Sequence, residues 1–385
     1  MSTPMMDWLS ERLPELVADL ELLVGVESPS DDAECLDRMA ALLERWALER
    51  LPAATTRRQA HGALGDVVEV LVEGAAPGEV LVLGHYDTVW PRGTLAEWPF
   101  TVADGVATGP GAFDMKAGLV QSVWAVAALR ALDVPAPTVR FLFTPDEEIG
   151  SKASREVIER AAGRATATLV LEPGVDGRVK TRRKGIGLFE VDVRGVEVHA
   201  GLDPEKGASA VTALAEVVLA LRDIAAPERG TTVNTGVITG GTRTNVVAGH
   251  ARAEVDVRVA TEEEARRVDR EIAALSVTDP RVELVVTGGW NRPPMTPNPG
   301  SAELLRRARE VAAAHGRDLG EVAVGGASDG NFVAATGRPV LDGLGAVGDG
   351  AHARNEHVLL DRMPYQAALV AGLLAALAED PLAAG

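Results

Sequence analysis

Val80-Leu81-Val82-Leu83-Gly84-His85-Tyr86-Asp87-Thr88 carries an apolar run straight into a histidine and an aspartate. Continuous rather than alternating apolar residues mark a strand buried on both faces, as in a sheet covered by helices on each side. The spacing predicts that strand over residues 79–83, with companions over 67–72, 138–143 and 167–171. Between them, helical apolar spacing predicts helices over 7–24, 32–51, 114–132 and 151–162. Helices alternating with buried strands imply an α/β sandwich with a largely parallel sheet.

The pattern changes near residue 180. Phe189, Val191 and Val193 alternate with Glu190, Asp192 and Arg194, the signature of a sheet with one wet face. A helix over 208–222, strands over 231–238 and 251–259, a charged helix over 262–275 and a strand over 281–287 follow. This β-α-β-β-α-β sequence is the ferredoxin-like order. Asn291-Arg292-Pro293-Pro294 reads as the exit from it. Helices over 301–315, 328–336 and 365–377 and short strands over 321–324 and 339–341 then resume the first pattern. The simplest organisation is one α/β domain, 1–180 and 293–385, interrupted by an inserted α+β domain, 181–292.

At 385 residues the chain exceeds the usual size of a single core, which agrees with two domains. A formal charge of −18 argues against nucleic acid, whose phosphates call for a basic surface. Nothing approaches the apolar length of a membrane span. The N-terminal stretch, broken by Asp7, Glu11, Arg12, Glu15 and Asp19, lacks the basic start and apolar centre of a secretory signal, so a cytoplasmic location is the expectation. The one cysteine, Cys35, excludes both an intramolecular disulfide and a multi-thiolate metal site.

In open α/β sheets, ligands bind at the carboxyl ends of strands, and four such ends carry ligand chemistry. His85 and Asp87 close the first strand, two residues apart and thus on one side of extended chain. Asp87 is placed to hold the second ring nitrogen of a metal-binding imidazole. Asp114 follows the glycine turn Gly109-Pro110-Gly111 at the edge of a long helix. Asp146-Glu147-Glu148 follows Phe141-Leu142-Phe143, and Glu172 closes Leu169-Val170-Leu171 before Pro173-Gly174. His352 sits in a glycine-rich segment near the C-terminus. Singly, each has a plain structural explanation: Asp is a preferred helix N-cap, and acids and histidines are common in exposed turns. Together, two histidines and three carboxylates make a mixed nitrogen–oxygen set suited to zinc. A carboxylate shared between two ions gives the arrangement of two-metal aminopeptidases.

The motifs His85-Tyr86-Asp87-Thr88, Phe113-Asp114-Met115-Lys116-Ala117-Gly118, Asp146-Glu147-Glu148-Ile149-Gly150-Ser151, Leu171-Glu172-Pro173 and His352, in that order, resemble the co-catalytic zinc peptidase and deacylase family. That family holds carboxypeptidase G, acetylornithine deacetylase, succinyl-diaminopimelate desuccinylase and aminoacylase, and the resemblance is nearest to the carboxypeptidase G branch. It implies a three-layer αβα catalytic domain, with the insert acting as lid and dimerisation domain. It further implies two zinc ions per chain, with cobalt or manganese as substitutes. His85, Asp114 and Glu172 would hold one, and Asp114, Glu148 and His352 the other, with Asp114 as the bridge. Glu147 would be the general base, and Asp87 would orient His85. His199, in Val198-His199-Ala200-Gly201, would act from the partner of a homodimer on the scissile carbonyl. Asn245, Arg258 and Arg292 would bind substrate, Arg292 receiving its carboxylate. The resemblance also implies a cis peptide bond between Asp114 and Met115. Two departures from carboxypeptidase G, Met115 in place of a second acid and no aromatic residue beside His352, count against folate as substrate.

The implied reaction is hydrolysis of the amide bond next to a carboxylate in a peptide or N-acyl amino acid. Two other classes remain in play at this stage. One is a small-molecule deacylase of the acetylornithine or succinyl-diaminopimelate type. The other is a non-catalytic binding protein on the same scaffold, for which a lost base or ligand is the expected mark; Glu147 and all five ligand candidates are present. A nucleotide-binding enzyme is disfavoured because no G-x-G-x-x-G opens a helix.

Overall fold

A computed structural model describes residues 2–382. The chain divides into two compact units, one of Met1–Arg182, Thr296–Val324 and Ser328–Gly385, the other of Arg183–Met295 with residues 325–327.

The first unit begins with α1 (Ser2–Glu11), α2 (Leu13–Val24) and α3 (Ala33–Arg50). The single helix expected over 7–24 is interrupted at Arg12, and α2 restarts with Pro14 in its first turn. There the missing amide costs nothing. Next come β1 (Thr55–Ala60), β2 (Asp66–Val72), β3 (Ala76–His85), the one-turn α4 (Thr94–Glu97), β4 (Thr101–Ala103), β5 (Val106–Thr108), α5 (Ala117–Ala131), β6 (Pro137–Thr144), α6 (Arg155–Arg164), β7 (Ala167–Val170) and β8 (Val179–Arg183). The central sheet has the order β1-β2-β6-β3-β7, completed by β14 (Val340–Leu341). Strands β6, β3, β7 and β14 run parallel, whereas β1–β2 and β2–β6 are antiparallel, so the sheet is mixed. Strand β1, Thr-Thr-Arg-Arg-Gln-Ala, escapes the apolar pattern because it is a polar edge strand.

Every residue from Val80 to His85 is buried, which requires cover on both faces of β3. Helix α5 is buried on nearly every side and packs on α11 (Met363–Glu379), itself almost wholly apolar. Both lie against β3, and α6 covers β3 and packs on α10 (Gly330–Ala335). Among the described residues no helix is long and apolar enough to cross a membrane.

The second unit contains β9 (Gly185–Arg194), α7 (Ala210–Ile224), β10 (Thr232–Gly240), β11 (His250–Val259), α8 (Glu262–Ala273) and β12 (Glu283–Arg292). Its sheet order is β10-β11-β9-β12, antiparallel throughout, the ferredoxin-like arrangement. One face buries Val191, Val193, Ala251, Ala253, Val255 and Val257 with Leu214, Val217 and Val268 from the two helices. The other face carries Glu190, Arg252 and Glu254, joined by ion pairs of 2.6 Å and 3.2 Å. Strand β12 runs through Arg292, so Asn291 and Arg292 are strand residues and only the two prolines leave the sheet.

In the first unit α9 (Pro299–Ala314) and β13 (Glu321–Val324) follow, the latter paired with β8. The short strands β15 (Gly348–Asp349) and β16 (His357–Leu359) join β5 and β4 in a small sheet of order β15-β16-β5-β4.

Candidate metal centre

Strand β3 ends at His85, and β6 ends at Thr144, directly opposite His85 in parallel register. The turn Pro145–Gly150 follows, and Glu172 lies two residues beyond β7. The parallel pairing of β6, β3 and β7 therefore delivers three strand ends to one edge of the sheet. Asp114 comes from a five-residue turn, Ala112–Lys116, that precedes α5. Helix α5 starts at Ala117 with Lys116 in the N-cap position, so Asp114, with φ −113° and ψ 94°, is not the N-cap of the long helix. The Asp114–Met115 bond is cis, as the resemblance implies.

Asp114 turns its two oxygens in two directions. Oδ1 lies 3.2 Å from His85 Nε2, and Oδ2 lies 3.5 Å from His352 Nε2. His85 Nε2 is also 3.7 Å from Glu172 Oε1, and His352 Nε2 is 3.0 Å from Glu148 Oε1. Two triads result, His85–Asp114–Glu172 and Asp114–Glu148–His352, with all ligand atoms of each within 4.8 Å of one another. Tetrahedral zinc with bonds of about 2.0–2.1 Å spaces its ligand atoms roughly 3.3–3.4 Å apart. The imidazole–carboxylate separations, 3.0 Å to 3.7 Å, bracket that spacing, and imidazole with carboxylate is a suitable donor set for a divalent ion.

The surroundings fix the orientations. His85 Nδ1 faces the Asp87 carbonyl at 3.0 Å and the Asp87 carboxylate at 3.4 Å, which leaves Nε2 for Asp114. The fully buried Asp87 carboxylate accepts the amides of Glu147 and Glu148, each at 3.2 Å, and the Ser30 hydroxyl at 2.7 Å. It thus locks the Glu147-Glu148 turn to the His85 strand. Asp146, also buried, accepts from Ala153 N at 2.6 Å and from the Ser154 hydroxyl, closing the turn from the other side. Ser30 and Asp146 are absent from the set of site residues read in the sequence. A sequence signal, an acid adjoining a candidate base and a candidate ligand, is present only for Asp146.

The electrostatics follow the crowding. Burial pulls His85 down, but hydrogen bonds to Asp114 and Asp87 outweigh it and hold its pKa well above the ordinary value. The Glu148 hydrogen bond raises His352 to about 9. Burial pushes Asp114 up, yet the two imidazoles hold it below the usual carboxylate range, whereas burial lifts Glu148. Carboxylates packed this closely call for positive charge beside them.

A family model described as peptidase family M20/M25/M40 matches residues 81–376, most of the chain. The chain belongs to peptidase family M20. Members of this metallopeptidase family are metal-dependent hydrolases. This M20 chain is 29% identical over 375 residues to carboxypeptidase G2 of Pseudomonas sp. (strain RS-16), covering 95% of itself and 90% of that protein. It is 30% identical over 376 residues to the succinyl-diaminopimelate desuccinylase of Acidovorax ebreus (strain TPSY), covering 90% and 94%. In fold it is similar to the crystal structure of aminopeptidase PepT from Bacillus cereus, with a TM-score of 0.79 at 22% identity, over 94% of this chain and 98% of that one.

The other four sequence-predicted site residues belong to the second unit. His199 is exposed, and its Nδ1 accepts the amide of Gly201 at 3.1 Å. Asn245 is exposed on the adjoining segment, where its carbonyl accepts Ala200 N at 2.9 Å. Arg258 is already engaged: Asp256, two residues back on the same face of β11, takes its Nε and Nη2 at 2.7 Å and 2.9 Å. Arg292 is buried, with Nη1 donating to Asn291 Oδ1 at 3.1 Å.

Proposed function

We propose that this M20 chain hydrolyses the amide bond next to a free carboxylate in a peptide or N-acyl amino acid, using two divalent ions, zinc by donor preference, that share Asp114. The observation that carries this reading is the division of Asp114 between His85 and His352, one oxygen to each. His85, Asp114 and Glu172 would hold one ion, and Asp114, Glu148 and His352 the other. Bound there, the ions would supply Lewis acidity, polarising the scissile carbonyl and lowering the pKa of the attacking water.

The chain's own residues do the rest. Glu147, held by Asp87 through its amide, accepts the proton of the attacking water and passes it to the departing amine. Asp87 keeps His85 and the Glu147 turn in fixed register. His199 is the donor proposed for the developing oxyanion, where one such donor is worth about 3–4 kcal/mol. Arg292 and Asn245 are the proposed carboxylate and backbone contacts of the substrate. Arg258 takes part only by exchanging its Asp256 partner.

A homodimer through the second unit completes the proposal. Edge strand β10 exposes Val237 and Ile238, and α7 exposes Val211 and Leu219. An unpaired edge beside exposed apolar side chains favours a second copy.

The test is a panel of dipeptides and N-acyl amino acids, each beside its carboxamide, assayed before and after chelation. Hydrolysis restricted to the free carboxylates, lost on chelation and restored by zinc, cobalt or manganese, is expected. Equal hydrolysis of the carboxamides would overturn the substrate class. A second reading, a small-molecule deacylase, draws support from the desuccinylase relative. Turnover of N-acetyl or N-succinyl amino acids with no turnover of peptides would favour it.

A further inference from the structure

Glu356 lies outside the set of ligand and catalytic candidates, yet it is fully buried beside them. Its carboxylate accepts four hydrogen bonds. Oε1 takes the amides of Phe113 and Asp114, at 2.9 Å and 3.1 Å. Oε2 takes the amide of Gly111 and the indole N–H of Trp90, at 3.1 Å and 3.0 Å. A carboxylate has about four lone-pair sites, so its acceptor capacity is filled. Three of the four donors are backbone amides of the loop that presents Asp114.

The same residue anchors the other side of the second triad. Glu356 follows His352 by four positions, and its amide donates to Ala353 O at 2.9 Å. The next residue, His357, begins β16 and pairs with Thr108 of β5, just before the Asp114 loop. The backbone around Glu356 therefore fixes the His352 segment while its side chain grips the Asp114 segment. Those are the two chain segments whose ligand atoms must keep their spacing if one ion is to touch both.

We propose that Glu356 is a positioning residue of the metal centre, setting Asp114 against His352 without touching metal or substrate. The proposal rests on reading the two triads as metal sites. A neutral glutamine has the same shape but turns an NH2 group toward donors that need an acceptor, so Glu356→Gln breaks the grip without opening a cavity. Partners that orient metal ligands are typically worth about 10- to 100-fold in metal affinity.

The experiment measures zinc affinity by competition with a chromophoric chelator, and the visible spectrum of cobalt-loaded protein, for wild type, Glu356→Gln, Glu356→Asp and Trp90→Phe. Binding weakened about 10- to 100-fold in Glu356→Gln, with an altered cobalt spectrum, is expected. Glu356→Asp, which keeps the charge but withdraws it by one methylene, should shift in the same sense. Trp90→Phe, which removes the one donor outside the Asp114 loop, should keep the wild-type spectrum. Wild-type affinity and spectrum in Glu356→Gln would overturn the proposal, as would a lowered melting temperature with an unchanged spectrum. If Glu356→Gln does not fold, the Glu356→Asp spectrum decides in the same way. A wild-type protein that binds neither zinc nor cobalt overturns the metal-centre reading itself, and with it this one.

Discussion

Glu148 Oε1 and His352 Nε2 meet at 3.0 Å across 204 residues of chain. Glu148 arrives on the turn after β6, and His352 on a glycine-flanked loop near the C-terminus, in the left-handed conformation with φ 62°. Asp114 lies 3.5 Å from the same imidazole. A cation held here would join two distant parts of the first unit, so its removal should loosen the fold as well as stop the reaction.

Glu147→Gln keeps the shape of the side chain and removes the proton acceptor. Turnover should fall by at least about 100-fold, the low end for general acid–base catalysis. The metal content should stay at the wild-type level. Steady-state kinetics with elemental analysis of the same sample checks this; near-normal turnover in a loaded variant would remove Glu147 from its role.

Asp87→Ala should be costly in two ways. It strands the amides of the half-buried Glu147 and Glu148, at no more than about 1–3 kcal/mol for each unsatisfied donor. It also frees one constraint on the His85 ring, and loss of such partners weakens metal binding by about 10- to 100-fold. Urea unfolding of the metal-free protein isolates the first effect, and chelator competition the second.

Gly118, the last residue of the Asp114 motif, sits where α5 approaches the end of β7. A Cβ there would lie 2.3 Å from the carbonyl oxygen of Leu171, the residue before Glu172. In an open helix Gly→Ala stabilises by about 0.5–1 kcal/mol. Here a backbone clash opposes it, and overpacking typically costs about 1–3 kcal/mol. Gly118→Ala should therefore lower the unfolding midpoint, and a raised midpoint would mean that the contact yields freely.

The role proposed for His199 separates from a plain turn histidine by complementation. An inactive Glu147→Gln chain is mixed with an inactive His199→Ala chain and allowed to exchange subunits. If His199 acts on the partner's site, one site per mixed dimer regains both groups and activity returns. Demonstrated exchange with no activity would exclude that action.

The candidate ligand set was legible because each member closes or follows an apolar strand or lies in a glycine-rich turn, features visible over a few neighbouring residues. His85, Glu148 and Glu172 are of this kind, and parallel register brings their strands to one edge. What holds them was not legible, since Ser30 to Asp87 and Glu356 to Asp114 are contacts across 57 and 242 residues. Strand β1 was hidden by its polar edge composition, and β4, β5, β15 and β16 are too short to show a period. Arg258 is held by Asp256, which stands two residues away on the same face of a strand, a pairing that the spacing allows but does not require.

The most direct measurement is the stoichiometry of divalent-ion binding to wild type, Asp114→Ala, Glu172→Gln and His352→Ala, by calorimetric titration of metal-free protein. Wild type should take two ions per chain. Glu172→Gln and His352→Ala should each weaken one of them, and Asp114→Ala should weaken both. A single ion in wild type, or an Asp114→Ala protein that keeps either ion at full affinity, would contradict a centre built on a shared aspartate.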